Sequence, residues 1–260
     1  MGENVIFERG VAEGVAVIRL DRPKVNALSS DMMRDVAAIC AELEADTATR
    51  AVVVTGGRKN FAAGADISEF PSFDVDSARA FSTMFNDSLL ALENLPQVTI
   101  AAINGFALGG GLEVAVATDF RMIAEDGRMG VPEIQLGLIP GGGGTQRLAR
   151  LAGVTMAKEM VYTGRHVGAE EALANRLVSS VHDPDELQDA AIAKAAEYAK
   201  GPAALRMAKR AILDGLALPL DEAVKVEAEQ FGLCFGTDDC TTGVQSFMEN
   251  GPGKATFTGR

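Results

Sequence analysis

Short β-branched runs alternate with longer amphipathic stretches over the first part of the chain, and this alternation leaves few architectures open. Gly14 to Leu20 (GVAVIRL) alternates like a short strand, Ala51 to Thr55 (AVVVT) reads as a buried one, and Val98 to Ile103 (VTIAAI) as a third. Between them, Ser30 to Ala45 sets Met32, Val36, Ile39, Cys40 and Leu43 on one helical face, and Asp76 to Leu95 does the same with Phe81, Phe85, Leu89, Leu92 and Leu95. Strands that alternate with helices predict an α/β fold. With 260 residues, 47% of them hydrophobic, the chain can bury a full core as one large domain or one with an appendage.

Beyond about Asp183 the pattern changes. Pro184 to Lys200, Pro202 to Leu216 and Leu220 to Phe235 are all helix-like, with Pro near the starts and no strand between them. Leu205, Ala208, Ile212 and Leu216 form one apolar stripe, and Val224, Ala228, Phe231 and Phe235 another. Stripes of this kind need a surface to cover, either the main body or another subunit.

A formal charge of -12 argues against a nucleic-acid partner, whose phosphates call for clustered Lys and Arg. Two local basic spots remain for a small polyanion, Arg22 with Lys24 and Lys254 with Arg260. Three cysteines at wide spacing, Cys40, Cys234 and Cys240, suggest neither a disulfide framework nor a zinc knuckle, and fit a reducing compartment. The first residues lack the basic and apolar runs of a secretory leader. Asn86-Asp87-Ser88 matches a glycosylation acceptor, which carries no meaning without secretion. The longest charge-free stretch, Leu95 to Leu112, is broken by Pro96, Asn104 and four glycines, so no membrane span is expected. A soluble, cytoplasmic protein is the expectation.

With only His166 and His182, and no H-E-x-x-H, G-x-S-x-G or metal-spaced cluster, acid–base work falls to carboxylates. Glycines concentrate at Ala62-Ala63-Gly64-Ala65-Asp66, in Asn104 to Gly111 and in Pro140 to Gly144. Tight turns explain most glycines. Phosphate loops would need a following Gly-Lys-[Ser/Thr] or full Rossmann spacing, and neither is present. A third reading follows from order: Val98 to Ile103 is a strand and Leu112 to Thr118 reads as a helix, so Gly109 to Gly111 lie at or near a helix N-terminus. There, unpaired N–H groups face outward and a substrate oxygen can come close, as an oxyanion hole requires. Glu113 stands in the apolar segment GGGLEVAVAT, where a carboxylate is costly without a partner or a task. Glu133 follows Val131-Pro132, just before IQLGLIPGGGG. Composition leaves both a functional and a capping role open for each.

Taken together, Arg22-Pro23-Lys24-Val25-Asn26-Ala27-Leu28, the Ala-Gly-Ala-Asp segment ending at Asp66, NGFALGGGLE ending at Glu113, and PEIQLGLIPGGGGTQRL from Pro132 to Leu148 resemble the enoyl-CoA hydratase/isomerase (crotonase) family in order and spacing. The resemblance implies an α/β spiral of ββα units over residues 1–193, with a helical region over 194–260 that forms a homotrimer or a homohexamer made of two trimers. It implies an oxyanion hole from the N–H groups of Ala65 and Gly110, with Glu113 and Glu133 as catalytic base and acid around one water and Gly141 beside that water. Lys24, Ala27, Ala63, Asp66 and Ile67 would contact coenzyme A, and Lys254 would reach it from a neighbouring subunit. As alternatives, Lys24 and Lys254 are solvated lysines, Gly141 a turn glycine and Ile67 a core residue. No metal or separate cofactor is implied, because coenzyme A is part of the substrate. The glutamate pair favours syn addition of water to a trans-2-enoyl-CoA, giving a 3-hydroxyacyl-CoA. A Δ3,Δ2-enoyl-CoA isomerase and a non-catalytic acyl-CoA binder are the rivals. Phe70 to Phe85 would border the acyl pocket. The chain departs from the family pattern at Thr242-Gly243, where many relatives carry Glu-Gly, and at Asn250-Gly251, where a basic pair is usual.

Overall fold

In a computed structural model, which describes residues 4–260, the strand-like runs become the centre of one large sheet. The chain opens with the antiparallel pair β1 (Val5–Ala12) and β2 (Val15–Leu20), then crosses through α1 (Ser30–Glu44) to β3 (Ala51–Thr55). A short 3-10 turn (Ile67–Ser72) and α2 (Val75–Glu93) lead to β4 (Val98–Ile103), β5 (Phe106–Leu108) and α3 (Gly110–Val116). Next come β6 (Phe120–Ala124), β7 (Arg128–Gly130), a second 3-10 turn (Pro132–Leu136), α4 (Gly144–Ala152), α5 (Val154–Thr163), β8 (Val167–Gly168), α6 (Ala169–Ala174) and β9 (Ser180–His182). The chain ends in α7 (Leu187–Ala199), α8 (Ala204–Gly215), α9 (Leu220–Cys234) and α10 (Asp238–Asn250).

The main sheet runs β1-β2-β3-β4-β6-β9, parallel from β2 onward. Both faces of β3 and β4 are covered, which is why AVVVT and VTIAAI are continuous apolar runs with no polar alternation. Behind it, β5, β7 and β8 form a second layer, continued by single bridges between Ala62 and Ala107 and between Leu28 and Ala65. Each turn of the chain therefore adds a strand to the large sheet, a short extended piece to the second layer and then a helix, the spiral of ββα units expected.

Packing follows from the helical stripes. Met32, Val36, Ile39 and Leu43 of α1 and Phe85, Leu89 and Leu92 of α2 lie in the larger core on one face of the sheet. Leu187, Ala191, Ala195 and Ala199 of α7 cover the other face, so this helix belongs to the sheet body on both sides of residue 193. Helix starts are capped by side chains: Ser29 accepts from the Met32 N–H, and Asp74 with Ser77 forms a capping box on α2.

The tail beyond α7 is tied to the sheet body by side-chain bonds, among them the Arg50 guanidinium to the Gly201 carbonyl and Arg210 Nη1 to Asn94 Oδ1 at 3.2 Å. Lys209 Nζ of α8 donates to Asp119 Oδ2 at 2.9 Å and to the Gln97 carbonyl at 3.1 Å. Within the tail, Asp239 of α10 accepts from the N–H groups of Ala203 at 2.9 Å, Thr258 at 2.8 Å and Gly259 at 2.8 Å, which joins the C-terminal residues to the start of α8. The predicted stripes otherwise stay uncovered within one chain, with Ile212, Leu216, Val224, Phe231 and Phe235 all exposed. Among the described residues no helix is long and apolar enough to cross a membrane.

Candidate active site

The site is built where β4 hands over to α3. Gly109, at φ +51° and ψ −126°, is the N-cap of α3, a conformation L side chains rarely adopt. Gly110 and Gly111 then begin the helix, as the glycine run predicted. A first-turn N–H has no intrahelical acceptor, so the Gly110 amide is left for another partner. Beside it lies Ala65. The Leu28–Ala65 bridge uses the Gly64 carbonyl and the Asp66 N–H, both at 2.8 Å, and so leaves the N–H of Ala65 itself outside the bridge. A methyl group placed on Gly110 would stand 3.3 Å from Ala65 N and 3.0 Å from the Phe85 ring. The two backbones are adjacent.

One turn into α3, Glu113 is 2% exposed. Its Oε1 accepts from the N–H groups of Gly142 at 2.7 Å and Gly144 at 2.8 Å. The four-glycine run Gly141 to Gly144, for which the sequence suggested tight turns and no phosphate loop, therefore cradles an anion, and that anion is the protein's own carboxylate. Gly142 has to be glycine here, because a Cβ would sit 2.7 Å from both Glu113 Oε2 and Phe85. Burial raises the Glu113 pKa, while the Gly144 and Gly142 N–H bonds and the charge of Arg147 pull the other way. Arg147 Nη1 in turn donates to the Gly142 carbonyl at 3.0 Å and Nη2 to Glu93 Oε2 at 2.7 Å.

Glu133 lies in the first turn of the Pro132–Leu136 segment, with Oε1 against Gly109, where an added Cβ would meet it at 2.9 Å. Its Oε2 is buried without a hydrogen-bond partner among the described residues. Burial, with the charge of Glu113 adding to it, pushes the Glu133 carboxyl up to about 7. The two glutamates, twenty residues apart in sequence, are close enough for the charge of Glu113 to act on Glu133. One oxygen of Glu113 is occupied by backbone donors. Glu113 Oε2 and Glu133 Oε2 remain for a third group.

The remaining candidates divide. Gly141 is exposed, and its carbonyl is taken by Ser82 Oγ at 2.6 Å and Asn86 Nδ2 at 2.7 Å. Lys24, Ala27, Ala63, Asp66 and Ile67 lie on two neighbouring segments joined by the Ala63 N–H to the Val25 carbonyl at 3.0 Å. Arg22 locks that junction by donating to the Ala27 carbonyl at 2.8 Å and to Asp66 Oδ2 at 2.7 Å. Asp66 also accepts from Ser68, and these bonds hold its carboxyl below the usual range. Arg22 is thereby neutralised, which leaves Lys24 as the exposed cation of that basic spot. Ile67 is 57% exposed, which rules out the core-residue reading for it. Lys254 lines a cleft of about 450 Å³ with Lys200, Phe247 and Phe257, and none of the other candidates borders it. His166 is exposed against Phe106, and His182 bonds Ser180 at 2.7 Å.

Ser82, Asn86 and Arg147 were not singled out for the site from sequence, although Arg147 stands inside the PEIQLGLIPGGGGTQRL motif. Among the described residues no group of three or more His, Cys, Asp or Glu could hold a metal ion.

The Gly110 and Ala65 amides beside one buried and one half-buried carboxyl, both of raised pKa, make up the class of arrangement used for acid–base chemistry at a carbon next to a carbonyl. Residues 10–260 match the enoyl-CoA hydratase/isomerase family, and the chain belongs to that family. It is 42% identical to the short-chain-enoyl-CoA hydratase of Clostridium acetobutylicum over 250 residues, 95% of each chain. To the crotonyl-CoA hydratase of Syntrophomonas wolfei it is 40% identical, again over 95% of both. The crystal structure of an enoyl-CoA hydratase from Bacillus anthracis superposes with a TM-score of 0.92 at 37% identity, covering 99% of this chain and 100% of that one.

Proposed function

We propose that this chain is an enoyl-CoA hydratase, a hydro-lyase that adds water reversibly across a trans-2-enoyl-CoA. The observation that carries the reading is the pair Glu113 and Glu133, each with an oxygen free of protein hydrogen bonds, beside the adjacent amides of Ala65 and Gly110. Attack of water at C3 drives negative charge onto the thioester oxygen. The Ala65 and Gly110 N–H groups serve as the oxyanion hole, and each donor contributes on the order of 100- to 1000-fold. Glu113 takes the proton from the attacking water, and Glu133 delivers one to C2 as the thioester carbonyl re-forms. A group with a pKa near 7 is protonated often enough to act as that acid at neutral pH. The N–H bonds from Gly142 and Gly144 favour the ionised form of Glu113 that a base needs. Gly141 borders the water.

Coenzyme A enters as part of the substrate, and no further cofactor has a role in this scheme. Its adenosine end is bound along the Lys24, Ala27, Ala63, Asp66 and Ile67 surface, with Lys254 of a neighbouring subunit completing the contact. The exposed apolar stripe of α8 and α9 supports a subunit interface within residues 194–260, hence a homotrimer or a pair of trimers. The cytoplasm is the compartment consistent with free thiols at Cys40, Cys234 and Cys240.

The test is to follow loss of the conjugated thioester absorbance with crotonyl-CoA for wild type, Glu113→Gln and Glu133→Gln. Each variant is expected to lose about 100- to 10,000-fold in kcat. Near-normal turnover in either removes that residue from the mechanism. Rapid conversion of a 3-enoyl-CoA with none of the 2-enoyl-CoA would assign isomerisation instead.

A further inference from the structure

One peptide unit near the site is gripped at both ends. Its carbonyl, on Gly141, accepts from Ser82 Oγ at 2.6 Å and from Asn86 Nδ2 at 2.7 Å, and its N–H, on Gly142, donates to Glu113 Oε1 at 2.7 Å. Ser82 and Asn86 are four residues apart on α2, so one helical face presents both donors, and Asn86 Nδ2 also holds the Ser82 carbonyl at 2.9 Å. Peptide units flanked by glycine rotate at little steric cost; Ser82 and Asn86 hold the carbonyl of this one, while the Gly144 N–H on Glu113 Oε1 and Arg147 Nη1 on the Gly142 carbonyl fix the units that follow. Hydrogen bonds to a carbonyl also polarise its peptide and strengthen the N–H at the other end.

We infer that Ser82 and Asn86 are positioning residues: by holding the Gly141 carbonyl they keep the Gly142 N–H aimed at Glu113, which links the helix carrying Phe81 and Phe85 to the state of the base. This rests on the assignment of Glu113 under the hydratase reading. The charged groups facing Glu113 are Arg147 from α4 and Glu133 from the Pro132–Leu136 turn. Neither is hydrogen-bonded to Ser82 or Asn86, but Arg147 Nη1 and Asn86 Oδ1 both border the space that a Cβ on Gly143 would fill, so Ser82→Ala is the variant that leaves both charges in place and isolates the peptide. Without the grip, burial acts on Glu113 with less opposition from the loop, and its protonated form gains.

The experiment compares wild type with Ser82→Ala, Asn86→Ala, the double variant and the conservative Ser82→Thr, reading kcat, KM and the pH profile of kcat/KM with crotonyl-CoA, alongside melting temperature. In the double variant kcat is expected to fall about 10-fold, with KM changed far less. The acid limb of the profile should move up by about half to one unit. Ser82→Thr should keep the wild-type limb. A double variant that folds and keeps the wild-type limb overturns the inference, as does a rate loss that tracks melting temperature alone. A second readout does not need turnover: the ¹³C shift of the Glu113 carboxyl, titrated in a Glu133→Gln background that removes the coupling between the two acids, should show the same upward move. If wild type hydrates no enoyl-CoA, the hydratase reading falls. The carboxyl titration still decides whether Ser82 and Asn86 govern Glu113.

Discussion

Glu113 and Asp239 each expose only 2% of their surface and both are held by backbone N–H groups, yet Glu113 lies deep inside the molecule and Asp239 just beneath the C-terminal residues, and their acidities move in opposite directions. Asp239 is surrounded on both oxygens. Oδ1 accepts from the N–H and hydroxyl of Thr258, and Oδ2 from the N–H groups of Ala203 and Gly259. Burial raises its pKa, but the four bonds together outweigh burial and hold the carboxyl below the usual range. Glu113 has donors on Oε1 only, and there burial wins. The charge of a carboxylate out of contact with water is therefore set jointly by how deep it lies and by the share of its lone pairs that the protein fills. A fully bonded acid stays ionised to lower pH and staples the C-terminal residues to the start of α8. A half-bonded one keeps an oxygen and a proton equilibrium for chemistry.

The largest effect that follows is on rate. Glu113→Gln keeps shape and acceptor oxygen but cannot take a proton, so turnover should drop about 100- to 10,000-fold while the melting temperature holds or rises. A variant that loses stability but keeps rate would invert the comparison. Asp239→Ala should do the reverse. It strands three N–H donors and frees residues 258–260 and the start of α8, at a cost of about 2–3 kcal/mol in denaturant unfolding. Its turnover should fall far less than that of the Glu113 variant.

Stability against pH sharpens the same contrast, because the signs differ. The folded pKa of Asp239 is depressed, so its contribution is full above the unfolded carboxylate value near 4 and is lost as pH falls through the folded one. Glu133 is raised from 4.5 to about 7, so between those values the unfolded chain has released a proton that the folded chain keeps, and stability declines as pH rises through the window. Glu133→Gln should flatten that decline and leave the acid side unchanged. Urea midpoints at intervals from pH 3 to pH 8 measure both; an undiminished slope between about 4.5 and 7 in the variant would show that Glu133 is not the group responsible.

Much of this was readable in the residues, and what was not has a physical cause. Ala51 to Thr55 and Val98 to Ile103 are strands with the predicted ends, because a doubly covered strand is marked by unbroken β-branched and apolar residues. The glycines before Glu113 also lie where predicted, at the start of α3. By contrast β6 was not singled out, since Phe120–Ala124 carries a charge at its second residue. Arg121 is buried all the same, because its guanidinium donates to the carbonyls of Leu177 at 2.6 Å and Thr118 at 2.7 Å, partners supplied only by the folded chain. α10 escaped for a related reason: Thr241, Thr242 and Gly243 weaken its helical pattern, and Thr237 and Asp239 secure it through a cap and tertiary bonds. For the site, local pattern marked Glu113 as anomalous, but the meeting of Glu133 with it, and of Ser82 and Asn86 with Gly141, depends on the register between turns of the spiral. Pairings of that kind leave no periodic trace.

Asp119 tests the principle at its mildest. It lies between the two extremes: Oδ2 accepts from the Thr99 N–H at 2.8 Å, the Thr99 hydroxyl at 3.0 Å and Lys209 Nζ at 2.9 Å, and its side chain is 21% exposed. If neutral donors rather than one paired charge hold Asp119 in place, loss of the lysine should matter little, since Thr99 and water still serve the carboxylate. Lys209→Met keeps the aliphatic stem against the sheet and should cost about 1–2 kcal/mol, below the loss in Asp239→Ala. The Lys209→Met, Asp119→Asn pair should recover only part of that, with a coupling of about 1 kcal/mol in a double-mutant cycle. A coupling several times larger would mean that the ion pair itself holds α8 to the sheet, and that charge pairing outweighs backbone donors at this end of the molecule.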